Sequence, residues 1–247
     1  MTTNQTLSSL ASNGVNKIFI LHGWTYQTDT WRPLLGLLSS RGIDYEFLLM
    51  PGLTDGTNPA WTLDDYVKWL EEKTAAYDSV ILYGHSHGGR VSLAFAAKHP
   101  EKVTHLILED SAGIPPTGLR RWKRDIFKKV ANIGQIFVRS ERFRSMLHKV
   151  IRESDYRKAT PEMRKTMANL LSVDLSLVLH KIQCPTLIIW GAQDATTPLS
   201  AGHVIHAGIR DSKMVVIPDA RHSPHITHTG RVAELIVEEL SSGGKSV

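Results

Sequence analysis

The stretch Ser79–Lys98, SVILYGHSHGGRVSLAFAAK, decides how the rest of the chain is read. It opens on Ser79–Tyr83, a short apolar run of the kind that forms a buried parallel strand. It closes on Ser86–Lys98, a helix-like run with Pro100 beyond its end. Between them lies Gly84-His85-Ser86-His87-Gly88, a G-x-S-x-G sequence. A strand that turns abruptly into a helix needs glycine where neighbouring chain presses close. The serine at such a turn is held in a strained conformation with its hydroxyl presented for chemistry. Gly89 gives further room for packing. Ser86 is therefore the candidate nucleophile, and a chance glycine-rich turn is the bland alternative.

Outward from this junction, strand-like and helix-like runs alternate. Lys17–Leu21 and Ile43–Met50 read as strands and Trp31–Ser39 as a helix. Thr62 caps a helix through Leu63, Val67 and Leu70, with Asp64 and Asp65 in its first turn. Val103–Glu109 is a further strand. From about Ile114 to His180 no strand is visible. Leu119, Trp122, Ile126, Phe127 and Val130 follow helical spacing, as do Phe143, Met146, Leu147, Val150 and Ile151. Pro161 opens a third helix, with Met163, Met167 and Leu170 inward. The alternation then resumes with Thr186–Trp190, Leu199–Ala207, Met214–Ile217 and Arg231–Leu240. This pattern predicts a mostly parallel sheet of about six strands with helices on both faces. The expected division is a core over 1–112 and 181–247, interrupted by a helical cap over 113–180. The cap leaves from a strand's C-terminal end, so it should lie over the edge where open α/β sheets bind ligands.

A serine hydroxyl needs a base within hydrogen-bond reach. Of twelve histidines, His222 is the leading candidate, because it follows the last strand in the loop Pro218–Pro224. His225 and His228 are its local alternatives. The imidazole in turn needs a carboxylate to fix its tautomer. Asp194, just past Thr186–Trp190, is the candidate, and Asp110, just past Val103–Glu109, is the alternative. Acyl transfer also needs donors for the developing oxyanion. The backbone N–H groups of His87, at the helix start, and Trp24, after the first strand, are expected to supply them. His22 and Gly23 beside Trp24 are candidate substrate-binding residues. So are Trp122 and Phe143, whose apolar stripes would roof a pocket over Ser86.

Together, His22-Gly23-Trp24, Gly84 to Gly89, Gly191 to Asp194 with Pro198, and His222 resemble the α/β-hydrolase superfamily. The resemblance covers nearly the whole chain apart from the insertion. It implies the chain order Ser, Asp, His for the catalytic residues. It also implies a serine hydrolase, and with the apolar stripes over Ser86 the expectation is a carboxylic ester hydrolase, working through an acyl-enzyme on small to medium esters with a hydrophobic part. The superfamily is chemically broad, so a lactonase, a carbon–carbon bond hydrolase or a non-catalytic small-ligand receptor remain alternatives. Gly88-Gly89-Arg90 resembles the G-G-R of the menaquinone-pathway lyase, where arginines bind a carboxylate-rich substrate. Arg90 is equally readable as a plain helix residue. Pro51 to Thr57 departs from the glycine-rich loop of many relatives.

Composition narrows the remaining classes. Apolar residues make up 42% of 247, enough for a sizeable core. The single cysteine, Cys184, permits no intramolecular disulfide. No apolar run is long enough to span a membrane, and Met1 to Asn16 is not signal-like, so a cytoplasmic protein is the expectation. The net charge of +5 is concentrated: Gly113 to Leu179 holds fifteen bases against six acids. That basic segment reads first as a solvated face. Attraction of anionic substrates or contact with a membrane surface is the sharper alternative. Nucleic acid has no recognition motif, H-E-x-x-H and nucleotide loops are absent, and neither metal nor cofactor is expected. A monomer or homodimer acting on a small-molecule ester is the resulting expectation.

Overall fold

The computed structural model describes residues 17–25, 27–52, 59–115 and 160–242. The strands are β1 (Ile18–Leu21), β2 (Tyr45–Leu48), β3 (Val80–His85), β4 (Val103–Glu109), β5 (Thr186–Gly191) and β6 (Ser212–Ile217). They form one sheet in the order β2-β1-β3-β4-β5-β6, with every neighbouring pair parallel. The helices are α1 (Arg32–Ser40), α2 (Leu63–Lys73), α3 (His87–Lys98), α4 (Pro161–Leu171), α5 (Leu199–Gly208), α6 (Pro224–Thr227) and α7 (Thr229–Ser242).

The strands are apolar on both sides because both sides are covered. Ile18, Ile20, Ile81, Tyr83, Leu187 and Ile189 pack with Leu34 and Leu38 of α1 and Val232 to Leu240 of α7. Phe19, Leu21, Leu82, Ile188 and Trp190 pack on the other face, against α2, α3 and α5. This two-sided burial is why near-continuous apolar runs, rather than alternation, mark the strands in the sequence.

Differences from the sequence reading lie at the ends of elements. Ile43–Met50 contracts to Tyr45–Leu48, because β2 is an edge strand whose one partner, β1, offers four residues for pairing. β3 and β5 continue through residues that read as turn, since Gly84 and His85 pair with Leu108 and Glu109, and Gly191 with Ile217. Trp31 belongs to a 3-10 turn, Thr28–Trp31, that leads into α1.

Of the expected cap, residues 116–159 lie outside the described residues. With them go Trp122, Phe143 and the expected helices around Leu119–Val130 and Phe143–Ile151. The last helix expected in that segment, α4, is present and turns Met163, Met167 and Leu170 inward. The Trp61 N–H donates to Thr166 Oγ1 at 2.8 Å, and Asn169 Nδ2 donates to the Trp61 carbonyl at 3.0 Å.

The cap of α2 forms as read, and more completely. The Asp65 N–H donates to Thr62 Oγ1, while the Thr62 N–H donates to Asp65 Oδ2 at 2.8 Å. Removing the Thr62 Oγ1 acceptor of this pair with Thr62→Ala should lower stability by about 1 kcal/mol. In a chain of this length the melting temperature should fall by about 2–4 °C, measurable by circular dichroism.

Candidate active site

Parallel register brings the C-terminal ends of the strands to one edge of the sheet. His85 pairs with Glu109, Glu109 with Ile189, and Gly191 with Ile217, so the loops that follow converge. Strand order reverses between β1 and β3, and such a switch point opens a crevice. Gly23 and Trp24 leave β1 there, and Ser86 leaves β3.

Ser86 has φ 52° and ψ −111°, a left-handed conformation that a non-glycine residue rarely adopts. The flanking glycines are needed for close approach. A Cβ on Gly84 would stand 2.6 Å from the Gly88 carbonyl oxygen, and one on Gly88 would collide with the Leu21 carbonyl. The Ser86 N–H donates to the Glu109 carbonyl at 3.0 Å. The Ser86 carbonyl accepts from Arg90 N–H at 3.1 Å and Ala112 N–H at 2.9 Å.

Three side chains meet at this serine. His222 Nε2 lies 3.0 Å from Ser86 Oγ, and His222 Nδ1 lies 2.8 Å from Asp194 Oδ2. The Asp194 carboxylate accepts from Nδ1–H, which leaves Nε2 as a bare acceptor for the serine proton. Asp194 Oδ1 also accepts from the Thr196 and Thr197 N–H groups at 2.7 and 3.0 Å. Thr197 Oγ1 lies 2.5 Å from Asp194 Oδ2. Burial pushes the Asp194 carboxyl up, but the hydrogen bond and charge of His222 and the Thr197 and Thr196 donors outweigh it and hold it low.

The rival residues have other partners. His225 Nδ1 and N–H both donate to Glu109 Oε1, at 2.9 and 2.7 Å. His228 Nε2 pairs with Asp219 at 3.1 Å. Asp110 Oδ1 accepts from the Gly191 N–H at 2.9 Å. His22, expected at the substrate, is instead a buried structural tie. Its Nδ1–H donates to the Gly23 carbonyl at 2.7 Å and its Nε2 accepts from Met50 N–H at 3.0 Å. Burial lowers it to about 4, so it stays neutral. Arg90 is buried too, and its Nη1 donates to the Leu170 carbonyl, which ties α3 to the end of α4.

A family model described as alpha/beta hydrolase fold matches residues 16–229. The chain belongs to the α/β-hydrolase fold family. It is 24% identical over 249 residues to the pimeloyl-[acyl-carrier protein] methyl ester esterase of Neisseria meningitidis serogroup B / serotype 15, covering 94% of this chain and 95% of that protein. The protein of the same name from Aeromonas hydrophila is 26% identical over 245 residues, covering 89% and 93%. Among solved structures, a thermophilic esterase from Thermogutta terrifontis has a TM-score of 0.65 at 23% identity, covering 92% of this chain and 90% of that one.

In this α/β hydrolase a cavity of about 630 Å³ opens beside Ser86, within the usual size of a small-molecule site. Gly23, Trp24, Trp31, His222 and Ile226 are among its lining residues. Among the described residues, neither the Trp24 nor the His87 N–H has a backbone hydrogen-bond partner. Two groupings, His85 with Asp110 and His222, and His85 with Glu109 and His225, hold atoms within 4.8 Å of one another, close enough for one ion. Their histidines already make hydrogen bonds, with His85 Nε2–H donating to the His222 carbonyl at 2.7 Å.

Sequence reasoning missed the buried support behind the site. Glu109 is fully buried and accepts from the Tyr83 hydroxyl as well as from His225. His225 stacks on Trp31 with ring centroids 3.9 Å apart. Burial would raise the Glu109 carboxyl, but the charge and hydrogen bond of His225, with His85 and Tyr83 adding to them, hold it at about 2. A carboxyl lowered by folding contributes stability that is full above its unfolded value of about 4.3. That contribution is lost as pH falls toward about 2. Glu109→Gln should therefore cost about 3 kcal/mol at pH 7. Denaturant titrations should show the gap from wild type narrowing below about pH 4.

Proposed function

We propose that the protein is a serine-dependent carboxylic ester hydrolase in which Ser86 is the nucleophile, His222 the general base and Asp194 the orienting acid. The observation that carries this reading is the unbroken chain from Ser86 Oγ to His222 Nε2 at 3.0 Å and from His222 Nδ1 to Asp194 Oδ2 at 2.8 Å, beside a strained serine. His222 Nε2 takes the Ser86 proton as Oγ attacks the ester carbonyl carbon. The Trp24 and His87 N–H groups hold the oxyanion. His222 then protonates the leaving alcohol, and water activated by the same nitrogen releases the acid. No cofactor enters this scheme.

The substrate class follows from chemistry and kinship. The tryptophans and Ile226 favour a hydrophobic part in the ester. The esterase relatives support an ester, and their carrier-borne acyl chain makes such a substrate worth testing here. The lyase reading drew on Arg90 and on the basic segment as carboxylate-binding groups, and the bond from Arg90 to the Leu170 carbonyl argues against the first.

A panel of p-nitrophenyl esters of graded acyl length should show turnover. Ser86→Ala should lose it by roughly 10⁴–10⁶-fold. A fluorophosphonate should label wild type at Ser86 and leave Ser86→Ala unlabelled. Undiminished turnover in Ser86→Ala would falsify the assignment. The basic segment gives a second readout. Raising salt from about 50 to about 500 mM should lower kcat/KM for a methyl ester borne on an acidic carrier protein by about tenfold or more, while a neutral p-nitrophenyl ester changes little.

A further inference from the structure

Asp110 is more than the anchor of a loop. It and Asp194 follow neighbouring strands, β4 and β5, at the same edge of the sheet. Asp110 is fully buried, and with Ser86 it is one of two non-glycine residues with positive φ among those described, at 44°. One of its carboxylate oxygens lies within 4.8 Å of ring nitrogens of His85 and His222. Oδ1 accepts from the Gly191 N–H, while Oδ2 is buried with no hydrogen-bond partner among the described residues.

A lone buried carboxylate oxygen is costly as an anion, and more so beside other anions. Glu109, the last residue of β4, and Asp194 beyond β5 both act on Asp110, while His85 and His222 approach from the ends of β3 and β6. A proton on Oδ2 resolves the conflict, because the group becomes a donor with Asp194 as its acceptor. Burial, the charges of Glu109 and Asp194, and that shared hydrogen bond push Asp110 up to about 10.

We propose that Asp110 is a reserve positioning residue for His222, protonated while Asp194 is charged and able to take over at His222 Nδ1 when Asp194 is neutralised. On takeover its proton passes to water and the freed carboxylate accepts from Nδ1–H. The proposal rests on the Ser86–His222–Asp194 reading above.

The test compares kcat and KM for a p-nitrophenyl ester in wild type, Asp194→Asn, Asp110→Asn, the double variant and Ser86→Ala. Neutralising the only orienting carboxylate of such a triad costs about 10⁴-fold in kcat. Asp194→Asn should lose only about 10²-fold, in kcat with KM little changed, and the double variant about a further 10²-fold. Asp110→Asn alone should lose less than about tenfold, because its amide still accepts from Gly191 and donates to Asp194. In Asp194→Asn the residual activity should climb toward alkaline pH relative to wild type, since Asp110 must lose its proton beside Glu109. Equal losses in Asp194→Asn and the double variant, with Ser86→Ala inactive, would overturn the proposal and leave the triad standing. Turnover persisting in Ser86→Ala would remove the triad and the proposal together. If the Asp110 variants do not fold, Asp194→Asn decides alone. A folded Asp194→Asn that loses about 10⁴-fold and keeps the wild-type pH profile overturns the proposal.

Discussion

Ser86 holds a backbone conformation that costs about 1–3 kcal/mol for a residue with a side chain. The surrounding structure must over-determine it. Its N–H is held by the last carbonyl of β4, and its own carbonyl by N–H groups from α3 and from the loop after β4. The strained serine thus leans on β4 from two directions. The same strand ends in Glu109, which grips α6 through His225, three residues after His222. Asp110, next along, grips the start of the turn that carries Asp194 through the Gly191 N–H. One strand end therefore registers Ser86, His222 and Asp194 against each other, and shifting it would move all three.

Surroundings then set His222 apart from the buried histidines near it. His22 and His85 are lowered to about 4 and about 3, chiefly by burial, and His87 is lowered well below its ordinary value by burial and the charge of Arg90. These rings serve as neutral hydrogen-bonding and packing groups. His222 differs in having a buried carboxylate behind Nδ1, a serine before Nε2 and a side chain 25% exposed.

The fold was legible because two-sided burial writes strands as apolar runs and the helices between them carry clear stops. The convergence of Ser86, Asp194 and His222 was legible because each follows a strand at the same edge. Strand ends were not, since pairing runs on through Gly84 and Gly191, which read as punctuation. The role of His22 was misread because its place beside Gly23 suggested the pocket, whereas its ring turns into the fold to bind Met50. Glu109 went unnoticed as the end of a strand. Its signal was present, for an acidic residue closing a wholly apolar run, Leu106-Ile107-Leu108-Glu109, needs a buried partner. That partner, His225, lies 116 residues away, and no local pattern could supply it.

Arg90 shows how the insertion bears on chemistry. Burial lowers its guanidinium to about 10, which still leaves it charged near neutral pH. The cation sits at the C-terminal end of α4, where the Leu170 carbonyl, which also accepts from the Val173 N–H at 3.3 Å, and the helix dipole both favour positive charge. This bond roots the end of the insertion on α3, the helix that begins just after the nucleophile. A carboxylate-rich substrate would have to take Arg90 from that carbonyl in a place closed to solvent, loosening α4 from α3. The ester hydrolysis proposed above needs no such exchange, because it leaves Arg90 on the Leu170 carbonyl.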